Sequence, residues 1–332
     1  MSNKESLQLN NEKLTLSLSE LSKSVQTNVT EDVMVSGKIA YNGKNRVVGN
    51  LQLHEELVTI DGVKISDYLN LKSETTDHTS VSTLPYNFYQ GGAIVYNNEI
   101  HILGSYNSGY YTSHYRYNGS SWTSVSTIPY NFYNGGAVVY NNEIHLLCNN
   151  NNHYKYDGNT WESASTLPYN FYQGSAVVYN NEIHILGSSN STTSHYKYNG
   201  SSWTSVGELP YGFYQGAAVV YNNEIHIMGG FNTNHYKYDD SSWTSVSTLP
   251  YKFIDGSAVV YNNELYILGG SDSKTSHYKY NGSSWTSVST LPYEFYNGGA
   301  VVYNNEIHIL GSKNSNNYTK HYSLGKTIFV VA

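Results

Sequence analysis

Histidine, cysteine and tyrosine are the residues of this chain whose side chains could bind a metal, act as nucleophiles or hold a ligand. The 332 residues include 13 histidines, 35 tyrosines and a single cysteine, Cys148. A metal site needs several ligands that converge on one point, but most of these histidines recur at two fixed places in a sequence repeat. We therefore predict structural histidines, with no metal and no cofactor. The recurring histidines are His101, His114, His145, His153, His184, His195, His226, His235, His277, His308 and His321.

The tyrosines are concentrated in a stretch that recurs six times, first as LPYNFYQGG at residues 84–92. The phenylalanine never varies, so we assign it to packing. Tyrosine rings can stack on sugars and present a hydroxyl, and the adjacent glutamine or asparagine both donates and accepts hydrogen bonds. Packing remains the alternative role for the tyrosines. The predicted ligand-binding residues are Tyr86, Tyr89, Gln90, Tyr130, Tyr133, Asn134, Tyr169, Tyr172, Gln173, Tyr211, Tyr214, Gln215, Tyr293, Tyr296 and Asn297.

The six copies are separated by 44, 39, 42, 40 and 42 residues. Repeats of about 20–50 residues are typical of solenoids and propellers. The fifth copy alone breaks the pattern, with Ile254 and Asp255 in place of the second tyrosine and the amide. The copies begin at Leu84, Ile128, Leu167, Leu209, Leu249 and Leu291.

Each repeat contains four segments that we predict to be antiparallel strands a, b, c and d. Asn97-Asn98 and Asn118-Gly119 mark tight hairpins, because these residues tolerate positive φ. Four strands in a repeat of this length form one propeller blade, so residues 79–332 can supply six blades. In the first repeat the strands are residues 92–96, 99–103, 114–117 and 122–126.

The repeat resembles the kelch family of β-propellers. The resemblance lies in the glycine pair before strand a, the strand c tyrosines and the tryptophan that opens strand d, first Trp122. It departs where histidine replaces the usual aromatic residue of strand b, and where the double glycine after strand b survives only at Gly229-Gly230 and Gly269-Gly270. The resemblance implies a six-bladed propeller but no particular function, since kelch proteins differ in function.

All variation in repeat length lies in the loop between strands b and c, whose lengths are 9, 4, 7, 5, 7 and 9 residues. This loop and the connection from strand d to strand a emerge on the same face. Variable loops on one face are typical of a binding surface. Either residues 78–83 or residues 326–332 could close the ring as the last strand d, and we favour the N-terminal segment.

The first 72 residues precede the propeller, which we assign to residues 73–332. Leucines spaced by three and four in residues 7–25 predict a helix that could mediate oligomerisation within residues 1–30, although LTLSL also alternates as a strand does. Residues 31–72 are predicted to form a small β attachment region. Within it, residues 33–51 resemble an element of bacteriophage tail and fibre proteins, and residues 57–69 predict a hairpin.

Composition argues against two kinds of partner. Charged residues make up 13% of the chain and the net charge is −7, with no basic cluster for nucleic acid. No segment approaches the roughly 18 apolar residues of a membrane span. A single cysteine excludes an intrachain disulfide.

These features favour a component of a phage or phage-tail-like particle, assembled in the bacterial cytoplasm. Residues 1–72 would bind other particle proteins and form a homo-oligomer, with a trimer slightly favoured. The propeller would bind a glycan or protein on the host surface, with a Gram-positive host favoured. A decoration protein without a receptor and a kelch-type sugar isomerase or oxidase remain alternatives. We predict no catalytic residues, because a near-symmetric ring offers few places for a catalytic site.

Overall fold

The computed structural model describes the backbone of residues 71–107 and 109–331, six short strands before them, and the side chains of residues 78–107 and 109–324. The described residues contain strands and no helix. None of them forms a helix that is long and apolar enough to cross a membrane. The chain divides into two compact units, one of residues 1–77 with 325–332 and one of residues 78–324.

The first unit contains short antiparallel strand pairs. β1 pairs with β2, β3 with β4, and β5 with β6. The last pair confirms the hairpin predicted within residues 57–69. The strands are β1 (Gln8–Asn10), β2 (Lys13–Thr15), β3 (Val35–Ser36), β4 (Asn50–Leu51), β5 (Thr59–Ile60) and β6 (Val63–Lys64).

The helix predicted within residues 7–25 is wrong where the structure describes this segment. Residues 8–10 and 13–15 form the antiparallel strands β1 and β2, in which Leu9 lies opposite Leu14. The period-two alternation that begins at Leu14 competes with the helical spacing of the leucines, and a short helix gains little without packing. The rest of the predicted helix lies outside the described residues.

The second unit is a six-bladed β-propeller, as predicted. Five blades are separate four-stranded antiparallel sheets, and the sixth blade is part of a six-stranded sheet. The innermost strands of neighbouring blades contact each other around the whole ring. The propeller follows β7 (Leu71–Thr83). The first blade consists of β8 (Gly92–Tyr96), β9 (Glu99–Leu103), β10 (His114–Tyr117) and β11 (Trp122–Ser124), and the second of β12 (Gly136–Tyr140), β13 (Glu143–Leu147), β14 (His153–Tyr156) and β15 (Trp161–Ser163). The third consists of β16 (Ser175–Tyr179), β17 (Glu182–Leu186), β18 (Ser194–Tyr198) and β19 (Trp203–Glu208).

The remaining blades repeat this order. The fourth blade consists of β20 (Ala217–Tyr221), β21 (Glu224–Met228), β22 (His235–Tyr238) and β23 (Trp243–Ser245), and the fifth of β24 (Ser257–Tyr261), β25 (Glu264–Leu268), β26 (His277–Tyr280) and β27 (Trp285–Ser287). The sixth consists of β28 (Gly299–Tyr303), β29 (Glu306–Leu310) and β30 (Lys320–Val331), and β7 is its fourth strand.

The N-terminal strand closes the ring. β7 pairs with β30, which is strand c of the sixth blade. The Ser82 hydroxyl lies 2.8 Å from His321 Nδ1 and accepts a hydrogen bond from Trp122 Nε1 of the first blade. The C-terminal alternative is wrong, because its residues continue β30 itself, with Phe329 paired to Leu51.

Two devices set the shape of each blade. Asn97 and Asn98 adopt φ of 49° and 58° in the tight turn between strands a and b. The other five blades all have the same Asn-Asn turn. The repeated phenylalanine is fully buried in all six copies, which confirms its packing role. A Cβ added at Gly91 would lie 2.6 Å from the Phe88 ring, so the glycine before strand a leaves room for that ring.

Candidate functional site

The b–c loops and the d–a connections lie together on one side of the propeller, which we call the loop face. The Tyr106 N–H donates to the Tyr89 carbonyl, and the Phe132 N–H donates to the Tyr111 carbonyl. The a–b and c–d turns form the opposite hairpin face. Strand a therefore begins at the loop face, close to the propeller axis.

Six residues just before the a strands form a closed circle, which we call the amide ring. In each, the backbone N–H donates to the carbonyl of the equivalent residue in the preceding blade, at 2.7–2.8 Å. The circle is completed by Gln90, which bonds to the sixth residue, so the ring fixes all blades at one radius. The six residues are Gln90, Asn134, Gln173, Gln215, Asp255 and Asn297.

All six residues of the amide ring have left-handed backbones, with φ between 52° and 61°. A residue other than glycine in this region costs about 1–3 kcal/mol when the surroundings impose it. Asparagine and aspartate tolerate it best, yet three positions carry glutamine. Glycine would satisfy the same backbone hydrogen bonds without this cost, so the backbone geometry alone does not require amide side chains at these positions.

The amide ring and the glycines that follow it line an open central pocket of about 130 Å³. Five lining side chains are neutral amides that can both donate and accept hydrogen bonds. The sixth, Asp255, is the only charged residue in the lining. The pocket is smaller than the roughly 300–1,000 Å³ typical of drug-sized ligand sites, so it suits one substituent of a larger molecule.

Asp255 was noted in the sequence as a break in the repeat but was not predicted as a site residue. Its Oδ1 accepts a hydrogen bond of 2.9 Å from Gln215 Nε2. Burial raises the pKa of the Asp255 carboxyl above its usual value, against the lowering from the Gln215 and Asn297 amides and the Lys313 charge. Its single carboxylate gives the central pocket a negative charge.

In five of the six repeats the first tyrosine turns its hydroxyl into the blade and not toward the ligand surface that we predicted. Tyr86 and Tyr293 are buried, and in five copies the hydroxyl donates to the carbonyl of the glycine after strand b, as Tyr169 does to Gly187 at 3.1 Å. Tyr130 instead accepts from Asn150 Nδ2 at 2.7 Å. The prediction is corrected for Tyr86, Tyr169, Tyr211 and Tyr293, whose hydroxyls complete hydrogen bonds within the fold. Tyr130 is half-buried and bonds to a loop residue, so its role on the ligand surface stays a prediction.

The second tyrosine lies partly exposed on the loop face, next to the amide ring. Tyr89, Tyr133 and Tyr172 form part of a continuous row of aromatic rings that we call the tyrosine arc. Its centroid separations run from 4.9 Å for Tyr106–Tyr133 to 6.3 Å for Tyr133–Tyr172. The arc spans the sixth, first, second and third blades. Its members are Tyr318, Tyr89, Tyr106, Tyr111, Tyr133 and Tyr172.

Half of the tyrosine arc was missed by sequence reasoning. Tyr106, Tyr111 and Tyr318 come from the two longest b–c loops. The presence of tyrosines in these loops was the sequence signal that could have identified them as part of the binding surface. Tyr106 is 44% exposed, so the arc presents ring surface to solvent. The Asn134 amide donates to the Tyr172 hydroxyl at 2.9 Å and so joins the arc to the amide ring.

The other side of the loop face has a different chemistry. Tyr214 contacts Phe231 at 5.0 Å, and Lys252 lies over the Phe231 ring. Tyr296 has Lys274 over its ring at 5.2 Å. These two predicted tyrosines therefore lie apart from the tyrosine arc and next to positive charge.

The recurring histidines are buried within the blades, away from the lining of the central pocket. In five blades a strand b histidine and a strand c histidine are joined by a hydrogen bond of 2.8–2.9 Å, as in His101 Nδ1 and His114 Nε2. Burial lowers the pKa of His101 to about 4 and that of His114 to about 3. These pairs are therefore neutral at pH 7. In the fifth blade Tyr266 replaces the strand b histidine.

Neither histidine nor cysteine builds a reactive centre in the part of the chain that the structure describes. No group of three or more metal-binding side chains occurs among those residues. Cys148 is a buried free thiol, and burial raises its pKa to about 12. A thiol with such a pKa is not activated as a nucleophile.

Comparison with known proteins bears on the fold. No protein-family model matches the chain, and no curated protein matches it. The solved structure of YjhT superimposes with a TM-score of 0.64 at 15% sequence identity, over 76% of this chain and 97% of YjhT. At this identity the likeness shows the fold alone: the chain shares the six-bladed β-propeller fold with YjhT.

Proposed function

We propose that the loop face of the propeller binds a glycan on a bacterial cell surface. The tyrosine arc is the observation that carries this proposal. It forms a partly exposed row of aromatic rings across four neighbouring blades, directly beside a pocket of polar amides. The ring of Tyr106 remains 44% exposed although it contacts Tyr89, Tyr111 and Tyr133, and contiguous exposed aromatic surface commonly marks an interaction site.

The chemistry of the two parts suits a carbohydrate. Aromatic rings pack against the apolar faces of sugar rings, while tyrosine hydroxyls remain free to bond at the edge. The amide side chains of Gln90, Asn134 and Gln173 offer both donors and acceptors to sugar hydroxyls. A row of rings fits an extended polymer better than a single small molecule, because successive sugars can each occupy one tyrosine.

We further propose that the protein belongs to a phage or phage-tail-like particle. Residues 1–72 would attach it to other particle proteins, and the sequence resemblance at residues 33–51 supports this role. Several propellers on one particle, in a trimer or a higher oligomer, would gain avidity of about 10²–10⁴ over one weak site. The role is binding and not catalysis. The following test distinguishes this role from that of a decoration protein without a receptor.

The test uses fluorescently labelled full-length protein on intact cells and purified wall polysaccharide from a panel of Gram-positive bacteria. One variant carries Tyr106→Ala and Tyr133→Ala, which remove the centre of the tyrosine arc. The matched control, Tyr261→Ala, removes a tyrosine next to the hairpin face, whose hydroxyl donates to Asn305. We expect saturable binding by the wild type and the control, and a loss of about tenfold or more in the arc variant.

Equal binding by the arc variant and the wild type would contradict the proposal, provided that both melt at similar temperatures. An absence of binding to every surface, in a panel that includes the host, would favour the decoration protein. Removal of residues 1–72 tests the particle role separately. We expect it to abolish incorporation into particles and to leave cell binding by the propeller intact.

A further inference from the structure

The amide ring is symmetric in its backbone but not in its charge. All six positions share the same φ range and the same circle of hydrogen bonds, so their side chains can be compared directly. Five are neutral amides, and the fifth position alone carries a carboxylate, Asp255. Asp255 differs from Asn134 and Asn297, which occupy equivalent positions, in the charge of the side chain but not in the backbone conformation or the approximate side-chain size.

A partly buried carboxylate is costly unless a positive group or several hydrogen bonds compensate it. Asp255 accepts from Gln215, but no described residue forms an ion pair with it within 4 Å. Its lining neighbours are amides and glycines. The Lys313 charge acts on Asp255 from beyond ion-pair distance, so the lining of the central pocket itself carries only a negative charge.

The position of Asp255 relates it to the tyrosine arc. In a closed ring of six, the fifth position lies directly across from the second, where Asn134 sits. Asn134 bonds to Tyr172 and follows Tyr133, at the middle of the arc. A sugar stacked on the centre of the arc can therefore extend one substituent across the central pocket toward Asp255. A volume of about 130 Å³ admits a small group of this kind.

We propose that the central pocket binds a primary ammonium group carried by the surface polymer, with Asp255 as its counter-ion. This inference rests on the proposed glycan-binding function and specifies the ligand. An ammonium has three donors and no acceptor, which suits the acceptor positions that Asp255 retains beside its bond from Gln215 and the side-chain oxygens elsewhere in the amide ring. Two sources carry this group in a wall polymer: an amino sugar without its acetyl group, and an aminoacyl ester.

The first experiment compares full-length protein on two defined probes, a tetramer of β-1,4-linked glucosamine and its fully N-acetylated counterpart. Acetylation removes the charge and fills the space around the nitrogen. A charge-assisted hydrogen bond contributes about 1.5–3 kcal/mol, so we expect Kd to be about tenfold or more lower for the amine. Asp255→Asn should remove this preference and leave the fold intact, because asparagine already occupies two equivalent positions.

The matched control is Asp240→Asn. It removes the same charge from a residue that also has positive φ, 78°, but lies in a c–d turn at the hairpin face. If the preference for amine came only from the net negative charge of the protein, both variants would reduce it equally. That result would overturn the inference, as would an unchanged preference in Asp255→Asn.

The second experiment distinguishes the sources on wall polymer from a strain that the protein binds. Mild alkali removes aminoacyl esters, whereas acetic anhydride blocks every amine. Loss of binding after alkali identifies the ester, and loss only after acetylation identifies the amino sugar. Binding that survives acetylation overturns the inference but leaves the glycan function standing. A failure to bind any untreated polymer overturns both.

Discussion

The histidine pairs predict that the propeller loses stability between pH 7.5 and pH 5.5. Each paired histidine is neutral and buried in the fold but free to bind a proton once the chain unfolds. The pKa is lowered to about 4 for the strand b members His101, His145, His184 and His226. It is lowered to about 3 for the strand c members His114, His153, His195, His235 and His321.

The sign follows from proton linkage. Since the folded pKa lies below the unfolded value of about 6.5, the unfolded chain binds more protons as the pH falls, and the stability present above pH 6.5 is lost. Between pH 7.5 and 5.5 each histidine costs about 1.3 kcal/mol, because pH 5.5 lies well above both folded values. The nine together cost about 12 kcal/mol, comparable with the roughly 5–15 kcal/mol that stabilises a typical domain.

Urea unfolding followed by tryptophan fluorescence measures this loss. All five tryptophans open the d strands, and several pack against the histidines, as Trp161 does against His114 at 5.6 Å. We expect the urea midpoint to fall steeply from pH 7.5 to pH 5.5. A midpoint that does not change would refute the argument that these histidines are neutral and buried.

The fifth blade supplies a control for this prediction. Tyr266 occupies the strand b position there, and its hydroxyl donates to Glu264 at 3.1 Å. We therefore expect the combined variant His145→Tyr, His184→Tyr and His226→Tyr to fold and to lose about 4 kcal/mol less between the two pH values. An unchanged pH dependence in this variant would show that other groups cause the effect.

Three further predictions concern single residues. Phe171→Ala empties a fully buried site between blades and should lower the free energy of unfolding by about 3–5 kcal/mol; a loss below 1 kcal/mol in a urea melt would contradict that packing role. Tyr169→Phe removes a hydrogen bond to Gly187 and should cost about 1 kcal/mol without changing glycan affinity, whereas altered affinity would restore this tyrosine to the ligand surface. Gln173→Gly should keep or raise the melting temperature, because glycine adopts its φ of 61° freely, while it weakens binding; full affinity would show that the amide is dispensable.

The blade could be predicted from the sequence because its signals are local and repeated. In the first repeat, strands a, b and c were predicted at the bounds observed for β8, β9 and β10. Asn-Asn turns and alternating apolar residues act within a few positions, and six copies reinforce each other. The packing role of Phe88 and its equivalents followed from their invariance within the array.

The candidate site was predicted only in part, because it depends on contacts between blades. The amide positions Gln90, Asn134, Gln173, Gln215 and Asn297 do line the central pocket. The two tyrosines of one repeat have the same residue type and lie three positions apart, yet one is buried and the other faces the loops. In five of the six repeats the inward tyrosine bonds to the carbonyl of the glycine after strand b. That partner lies 18 positions away in the chain, beyond the reach of local patterns.

The central claim is that a glycan lies along the tyrosine arc and enters the central pocket. Hydrogen–deuterium exchange of the full-length protein, with and without wall polysaccharide that it binds, tests this claim most directly. The account predicts slower exchange in residues 105–107, 109–113 and 130–135 on the loop face, and no change in residues 118–121 on the hairpin face. Protection confined to the hairpin face, or to residues outside the propeller, would contradict it.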